Sequence, residues 1–325
     1  MRIAVLANLK KDVPLIKEHP PEDDYWDDLD DQKTVSTIVQ SLRSLGHKVR
    51  YIAPNVNIIR RLLRYKPDLC FNLCEGHFGA SREAQIPAIL DMLRLPYTGA
   101  GVLGMSLSHN KFIAKRIFRW AGLPTADSII VNDPNDIPNI NFKYPVFVKP
   151  VHAGTSIGIN EKSIVRNENF LFNQIQWAWN KVRAPILVEQ YIEGREFTIS
   201  VIGEEVLPII EIVSPTGYYS NEQKRQENSC VYRKCPADLS MANIQELQQV
   251  SLNAMEILNL YDFCRLDLRM NFQGNIFILE VNPLPSLFPD PEEISFVCSA
   301  FNAGYSYTEM IERIISEASN RLGLY

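Results

Sequence analysis

The sequence predicts a mixed protein, an α/β unit with a parallel sheet followed by α+β structure. Three observations lead there. At 325 residues the chain exceeds the roughly 100–200 residues usual for one domain. Over its first third, short apolar runs alternate with stretches of helical period, as in a parallel sheet with crossover helices. Beyond that point apolar runs crowd together with little helix between them, which is the pattern of antiparallel α+β structure.

Taken in order, Arg2 to Asn8 reads as a buried strand. Gln32 to Leu45 then carries Val35, Ile38, Val39, Leu42 and Leu45 at helical spacing and is stopped by Gly46. Eight acidic residues from Glu18 to Asp31, beside Pro20 and Pro21, read as a solvated loop. Strands follow at Lys48 to Ala53 and Leu69 to Leu73, with a helix between them and another from Ala84 to Leu93. Pro96-Tyr-Thr-Gly99 closes this unit, which sets a boundary near residue 98. Asn110 to Ala121 is the next helix, ended by Gly122 and Pro124. After a Pro/Asn/Asp loop from Asp133 to Asn141 come strands at Tyr144 to Lys149, Ile186 to Gln190, Phe197 to Ile202 and Val206 to Val213. A helix from Ile244 to Leu258, two strands around Gln273-Gly274 and a helix from Tyr307 to Arg321 complete the chain.

Composition excludes several classes. With 46% hydrophobic and 22% charged residues, disordered, collagenous and coiled-coil readings fall away. A net charge of -5, from 33 basic and 38 acidic residues, supplies no positive field for nucleic acid. Six cysteines contain no C-x-x-C pair, so reduced thiols in the cytoplasm are expected. The apolar run Ile3 to Ala7 is too short for a signal sequence. No segment approaches the roughly 18 apolar residues of a membrane span.

Three motifs could carry chemistry. Gly99-Ala-Gly-Val-Leu-Gly104 fits G-x-G-x-x-G, but Pro96 spoils the strand a dinucleotide fold needs, so the segment reads as a linker. No Walker A string occurs. Strand Tyr144 to Pro150 delivers Lys149 to a loop, His152 to Gly158, whose backbone N–H groups can wrap an anion; an ordinary surface turn is the other reading. The third motif is a hairpin. A two-residue turn at Gln273-Gly274 places Asp267 opposite Glu280 and Arg265 opposite Asn282 on one face. Leu266, Leu268, Phe277, Leu279 and Val281 take the core face. Opposed carboxylates repel, so a cation belongs between them. Either Arg265 or Arg269 is that cation, or two Mg²⁺ ions sit on Asp267, Glu280 and Asn282, oxygen ligands that suit a hard ion which also keeps substrate phosphates.

Together these residues resemble the ATP-grasp superfamily, and within it the D-alanine-D-alanine ligases. The resemblance rests on Pro96-Tyr-Thr-Gly99, Ser108-His-Asn-Lys111, Val148-Lys-Pro150 with its Gly-rich loop, Val188-Glu-Gln-Tyr-Ile-Glu-Gly194 with Glu196, Arg265-Leu-Asp267 and Glu280-Val-Asn-Pro283. It implies an N-terminal parallel-sheet substrate domain (1–98), a central ATP-grasp lid (99–187) and a C-terminal catalytic domain (188–325), with ATP between the last two. Lys111 and Lys149 would hold ATP phosphates under a loop containing Gly154, Thr155, Ser156 and Gly158. Glu189 and Ile192 would line the adenine pocket, Ile192 being plain core packing on the other reading, and Glu196 would accept from the ribose hydroxyls. Arg265 would stabilise the transferring phosphate, Lys224 would come from a mobile loop, and Asp267, Glu280 and Asn282 would ligate two Mg²⁺ ions, with Mn²⁺ as substitute.

The implied activity is an ATP- and Mg²⁺-dependent carboxylate-amine ligase that joins amino acids or small peptides through an acyl phosphate. The implied partners are those small molecules, without nucleic acid or membrane, in a chain that could form a homodimer. The rivals are a catalytically inactive nucleotide-binding regulatory protein and, more distantly, an oxidoreductase on Gly99 to Gly104. Departures from the family concern substrate. Ala7-Asn-Leu-Lys-Lys-Asp12 lacks the Gly/Ser-rich segment and glutamate that hold the first amino group, and Pro283 to Pro291 lacks the Ser-rich carboxylate grip. Arg225 follows Lys224 where a tyrosine is usual. Glu75, Arg82 and Glu83 either touch a different substrate or form a surface salt-bridge cluster. D-alanine is accordingly expected not to be the preferred first substrate, or not the only one. The Gly-rich loop and Tyr218 to Cys230 are expected to be poorly ordered without nucleotide, since both are polar and must open to admit substrates.

Overall fold

The computed structural model describes residues 1–12, 29–154, 156–214 and 231–324. Strands β1 (Arg2–Ala7), β2 (Lys48–Tyr51) and β3 (Leu69–Leu73) form a parallel sheet in the order β2-β1-β3. Every residue of β1 after Arg2 is buried, because helices cover both faces of the sheet. Ile3 and Val5 face Val35, Ile38 and Leu42 of α1 (Gln32–Ser44). Ala4 and Leu6 face Ile58 and Leu62 of α2 (Ile58–Tyr65) and Ile86 and Leu90 of α3 (Gln85–Leu93). Asp31 caps α1 by accepting from the Thr34 N–H.

Two helices lead into the second sheet. α4 (Val102–His109) and α5 (Lys111–Trp120) meet at Asn110, whose side chain accepts from the Ile113 N–H and caps α5. Residues 99–104 are therefore not a simple linker, since α4 begins at Val102. Gly104 lies inside that helix, and a Cβ there would stand 2.5 Å from the Asn259 carbonyl oxygen. The glycine serves close packing of α4, a need that local spacing does not reveal.

The second sheet is antiparallel, with order β4-β7-β5-β6, from β4 (Ser128–Val131), β5 (Val146–Pro150), β6 (Ile164–Val165) and β7 (Ile186–Gln190). The border expected between 187 and 188 falls inside β7. Helix α6 (Glu168–Val182) packs Leu171, Ile175 and Ala178 onto Val146, Val148 and Val188. Sequence patterning missed α6 because its aromatic residues spread beyond the buried face, with Phe170 and Phe172 exposed.

The largest sheet has the order β11-β10-β8-β12-β13 with β9 on β8. Its strands are β8 (Gly194–Ile202), β9 (Glu205–Val206), β10 (Ile210–Val213), β11 (Tyr232–Lys234), β12 (Phe263–Asn271) and β13 (Ile276–Asn282). The single strand expected over 206–213 is two, because residues 207–209, including Pro208, leave the ladder. Helices α7 (Met241–Ile257), α8 (Ser295–Asn302) and α9 (Tyr307–Leu322) contribute to its core, and α9 also packs on α1, so one apolar cluster joins the first unit to the last. α8 was also missed by the sequence reading.

The β12–β13 hairpin corrects one expectation and keeps another. The Asn275 carbonyl accepts from the Asn271 N–H around a three-residue turn with Gly274 at φ 86°, so the turn is not the expected two-residue one. The register then shifts between Asp267 and Leu268, as a bulge does. The two departures cancel, and Asp267 pairs with Glu280 and Arg265 with Asn282 as expected. On the turn side of the bulge the faces exchange: Ile276 and Ile278 are buried, while Phe277 and Leu279 are only half-buried.

Candidate functional site

A cavity of about 890 Å³ opens where the three sheets meet, and most of the expected site residues line it. Lys111 reaches it from the first turn of α5, Lys149 from β5, Glu189 from β7 and Glu196 from β8. Arg265 and Asp267 come from β12, Glu280 and Asn282 from β13. Strand alternation on a rigid hairpin accounts for the last four sharing one wall.

Its charges are mutually settled. Lys149 Nζ lies 2.8 Å from Glu189 Oε1 and 4.0 Å from Glu280 Oε2, and Lys111 Nζ lies 3.4 Å from the same Glu280 oxygen. Burial would raise the Glu280 carboxyl, but Lys111, Lys149 and Arg265 together hold it down to about 2. Burial likewise opposes ionisation of Glu189, and the ammonium groups of Lys115 and Lys149 outweigh it. Glu196 behaves differently: burial raises its carboxyl, Asp267 and Glu280 add to the rise, and Arg269, 3.0 Å away, offsets only part.

Asp267 is held from three sides. Arg265 donates to both its oxygens, at 3.2 Å from Nε and 2.9 Å from the terminal nitrogen. Thr198 donates to Oδ1 at 2.8 Å and the Asn282 amide to Oδ2 at 3.2 Å. The residues fit a metal that keeps phosphate ligands. Asp267, Glu280 and Asn282 offer two carboxylates and one amide oxygen, a donor set that suits a hard ion which keeps phosphate ligands; among the described residues no group of three or more His, Cys, Asp and Glu is placed to hold an ion.

In the loop after β5, Gly154 and Ser156 line the cavity, and Ser156 and Gly158 have positive φ, 62° and 75°. A Cβ on Gly158 would stand 2.5 Å from Pro150 Cγ, so the loop folds against its own strand only with glycine there. The Lys111 ammonium donates to the Ala153 carbonyl at 2.7 Å, tying this loop to α5. Ile192 is both buried and part of the cavity lining, so its two readings are not exclusive. Thr155 and Lys224 lie outside the described residues, as does the segment Tyr218 to Cys230.

The sequence reading missed Lys115. It is 2% exposed, with Nζ 2.8 Å from Glu189 Oε2, 2.9 Å from Thr125 Oγ1 and 3.2 Å from the Ile278 carbonyl. A signal was present: Lys115 stands four residues after Lys111, on the same helix face. Glu83 was expected in a substrate contact or a surface cluster, and it is not at the surface. It is buried at the cavity, where its Oε1 meets Nδ1 of buried His109. Glu75 and Arg82 line the same cavity, and Arg82 donates to the Gly76 carbonyl at 3.2 Å.

The family model for the D-ala D-ala ligase C-terminus matches residues 117–316. The D-alanine-D-alanine ligase of Pseudoalteromonas translucida is 37% identical over 285 residues, 86% of this chain and 89% of that protein. That of Aquifex aeolicus is 30% identical over 87% of this chain and 94% of its own length. Among solved structures, the ATP complex of the Bacillus anthracis D-alanine-D-alanine ligase superposes with a TM-score of 0.74, covering 98% of both chains at 21% identity.

Proposed function

This chain belongs to the D-alanine-D-alanine ligase family of ATP-grasp enzymes and is an ATP-dependent ligase, and from that premise we propose how its residues divide the work. Residues 1–98 serve substrate binding, the unit from residue 99 through β7 forms the lid in place of the expected 99–187, and the unit from β8 onward carries the chemistry, with ATP between lid and catalytic unit. A substrate carboxylate attacks the γ-phosphorus, the bond to ADP breaks, and an acyl phosphate forms. A second amine attacks the acyl carbon, phosphate leaves, and the amine's proton passes to solvent.

The protein's part is to position and neutralise. Lys111 and Lys149, now facing Glu280, turn their charge to the phosphates. Arg265, pinned by Asp267, presents its guanidinium to the transferring phosphoryl oxygens. Glu196 accepts from the ribose hydroxyls, and Glu189 with Ile192 borders the adenine. Asp267, Glu280 and Asn282 would hold Mg²⁺, which when bound neutralises phosphate charge. Lys224 and Thr155 join by family pattern alone. A cytoplasmic site of action completes the proposal, supported by the free thiols of Cys70, Cys74 and Cys264. Among the described residues no helix is long and apolar enough to cross a membrane.

The observation that carries this reading is the convergence of Lys111, Lys149, Arg265, Asp267, Glu280 and Asn282 on one cavity. An inactive nucleotide-binding protein needs no such paired cation and carboxylate set. The two substrates are amino acids or small peptides, and D-alanine is not the preferred first substrate, or not the only one, because the chain lacks both the family's amino-group anchor after β1 and its Ser-rich carboxylate grip after Asn282. The test is phosphate release across D- and L-amino acids and dipeptides, with product mass. Release that depends on two amine-bearing acids is expected. A specificity constant for D-alanyl-D-alanine synthesis above all others would overturn the substrate part alone, and no release with any pair would overturn the ligase.

A further inference from the structure

One wall of the cavity holds charged and polar groups outside the set proposed for ATP. Glu83 sits in the short 3-10 turn Arg82–Ala84 before α3, and His109 is the last residue of α4. Their side chains are only 9% and 5% exposed, and both line the cavity. Glu83 Oε1 takes the hydrogen bond from His109 Nδ1, while Glu83 Oε2 is buried with no hydrogen-bond partner. The His152 ring stacks on His109 with centroids 5.5 Å apart, and its Nδ1 is likewise buried and unpartnered. A buried polar atom left unpaired forfeits its hydration without return, so packing alone does not account for these two.

Glu83 is an ionised carboxylate set among cationic neighbours. Burial opposes ionisation of Glu83, but His109 first, then Arg82 and Lys111, hold its carboxyl below the ordinary value. Burial, with the charges of His109 and Lys111, pushes His152 down to about 4, so this ring is neutral at neutral pH. The unpaired Glu83 oxygen accepts hydrogen bonds, which suits a ligand group rich in N–H donors. The location is also informative. His109 stands two residues before Lys111, and the Lys111 ammonium donates to the carbonyl of Ala153, the neighbour of His152. The wall thus borders the end of the cavity where phosphate is transferred.

We propose that Glu83, oriented by His109 and flanked by His152, binds the ammonium group of the amino acid whose carboxylate is phosphorylated. An α-amino acid carries its ammonium one carbon from its carboxylate, so an ammonium bound at Glu83 keeps the carboxylate beside this same wall. The assignment rests on the ligase reading of the cavity and gives it an acyl-donor subsite that replaces the anchor missing after β1.

The experiment is calorimetric titration of the full-length protein, loaded with Mg²⁺ and a non-hydrolysable ATP analogue, with D-alanine, L-alanine and propionate. The parent should bind at least one alanine about 10- to 100-fold more tightly than propionate, the range for losing a charge-assisted hydrogen bond. Glu83→Gln should erase that preference and leave the affinity for the nucleotide analogue unchanged. Propionate binding as tight as alanine in the parent, or a preference that survives in Glu83→Gln, overturns the proposal. Should Glu83→Gln fail to melt cooperatively, Glu83→Asp and the parent's own alanine-to-propionate ratio still decide it. Failure of both alanines to bind overturns the subsite. Tight alanine binding without phosphate release in turnover assays would sink the ligase reading and leave the subsite standing.

Discussion

On the cavity wall built by β5, β7 and the β12–β13 hairpin, Lys149, Glu189 and Glu280 each lie within 4.0 Å of an opposite charge, and Lys111 joins them from α5. On the wall of Glu83, His109 and His152, a carboxylate oxygen and a ring nitrogen are buried without partners. The first wall is a closed electrostatic set that an anionic phosphate can enter by exchanging places with carboxylates. The second is half-finished and waits for a donor. The difference separates the wall proposed for ATP from the wall proposed for substrate.

The comparison can be broken most sharply at Glu280. Glu280→Gln removes a charge without volume, and loss of at least about 100-fold in turnover is expected, because oriented charge at the transferring phosphate is worth that much. Phosphate release, with the melting transition as a control for folding, checks it. Turnover within a few-fold of the parent would mean that this wall is structural.

Lys115 tests how far the closed set depends on a residue outside the cavity. Among the described residues, Lys115→Met leaves Glu189 with Lys149 as its only close counter-ion. Removing one partner of a buried pair costs about 3–5 kcal/mol, to be read by chemical denaturation, and KM for ATP should rise by about tenfold or more while KM for the amino acids stays put. Equal shifts in both constants would show a general loosening instead of a role at the nucleotide.

The smallest expected effect distinguishes the walls by pH. His152 has a folded pKa near 4, below its ordinary 6.5, so between those values the unfolded chain binds more protons and stability falls as pH drops from 6.5 to 4. Glu280, depressed from 4.5 to about 2, contributes stability present above 4.5 and lost as pH falls toward 2. His152→Asn should flatten the slope only in the upper window. Comparing variant with parent isolates the residue from Asp30, whose carboxyl is raised to about 7 by burial and Asp31 and acts in the opposite sense. An unchanged slope in denaturation at pH 4.5 and 6.5 would put the His152 ring in water.

The elements the sequence located well share one property: their chemistry is written locally. β3 and β7 match the expected strands at both ends, and α1, α5 and α9 differ from expectation by one residue at most at either end. Their apolar periodicity and caps lie within the segment itself. α4 was hidden by glycines that read as a linker, because the need for Gly104 comes from the Asn259 carbonyl, far along the chain. The hairpin was legible at its functional end through two compensating departures, a longer turn and a bulge, that no alternation rule separates.

The sequence by itself determined the order of the residues proposed to handle ATP, since Lys149, Glu189, Glu196, Arg265, Asp267, Glu280 and Asn282 sit on strands whose alternation decides which way a side chain points. Only the tertiary structure decided their company. It put Lys115 beside Glu189 across α5 and β7, and it brought Glu83 from the turn before α3 to His109 at the end of α4. Burial converts such meetings into chemistry: the same carboxylate that would be a solvated surface charge becomes, once desolvated with one oxygen unpaired, a site that selects a cation.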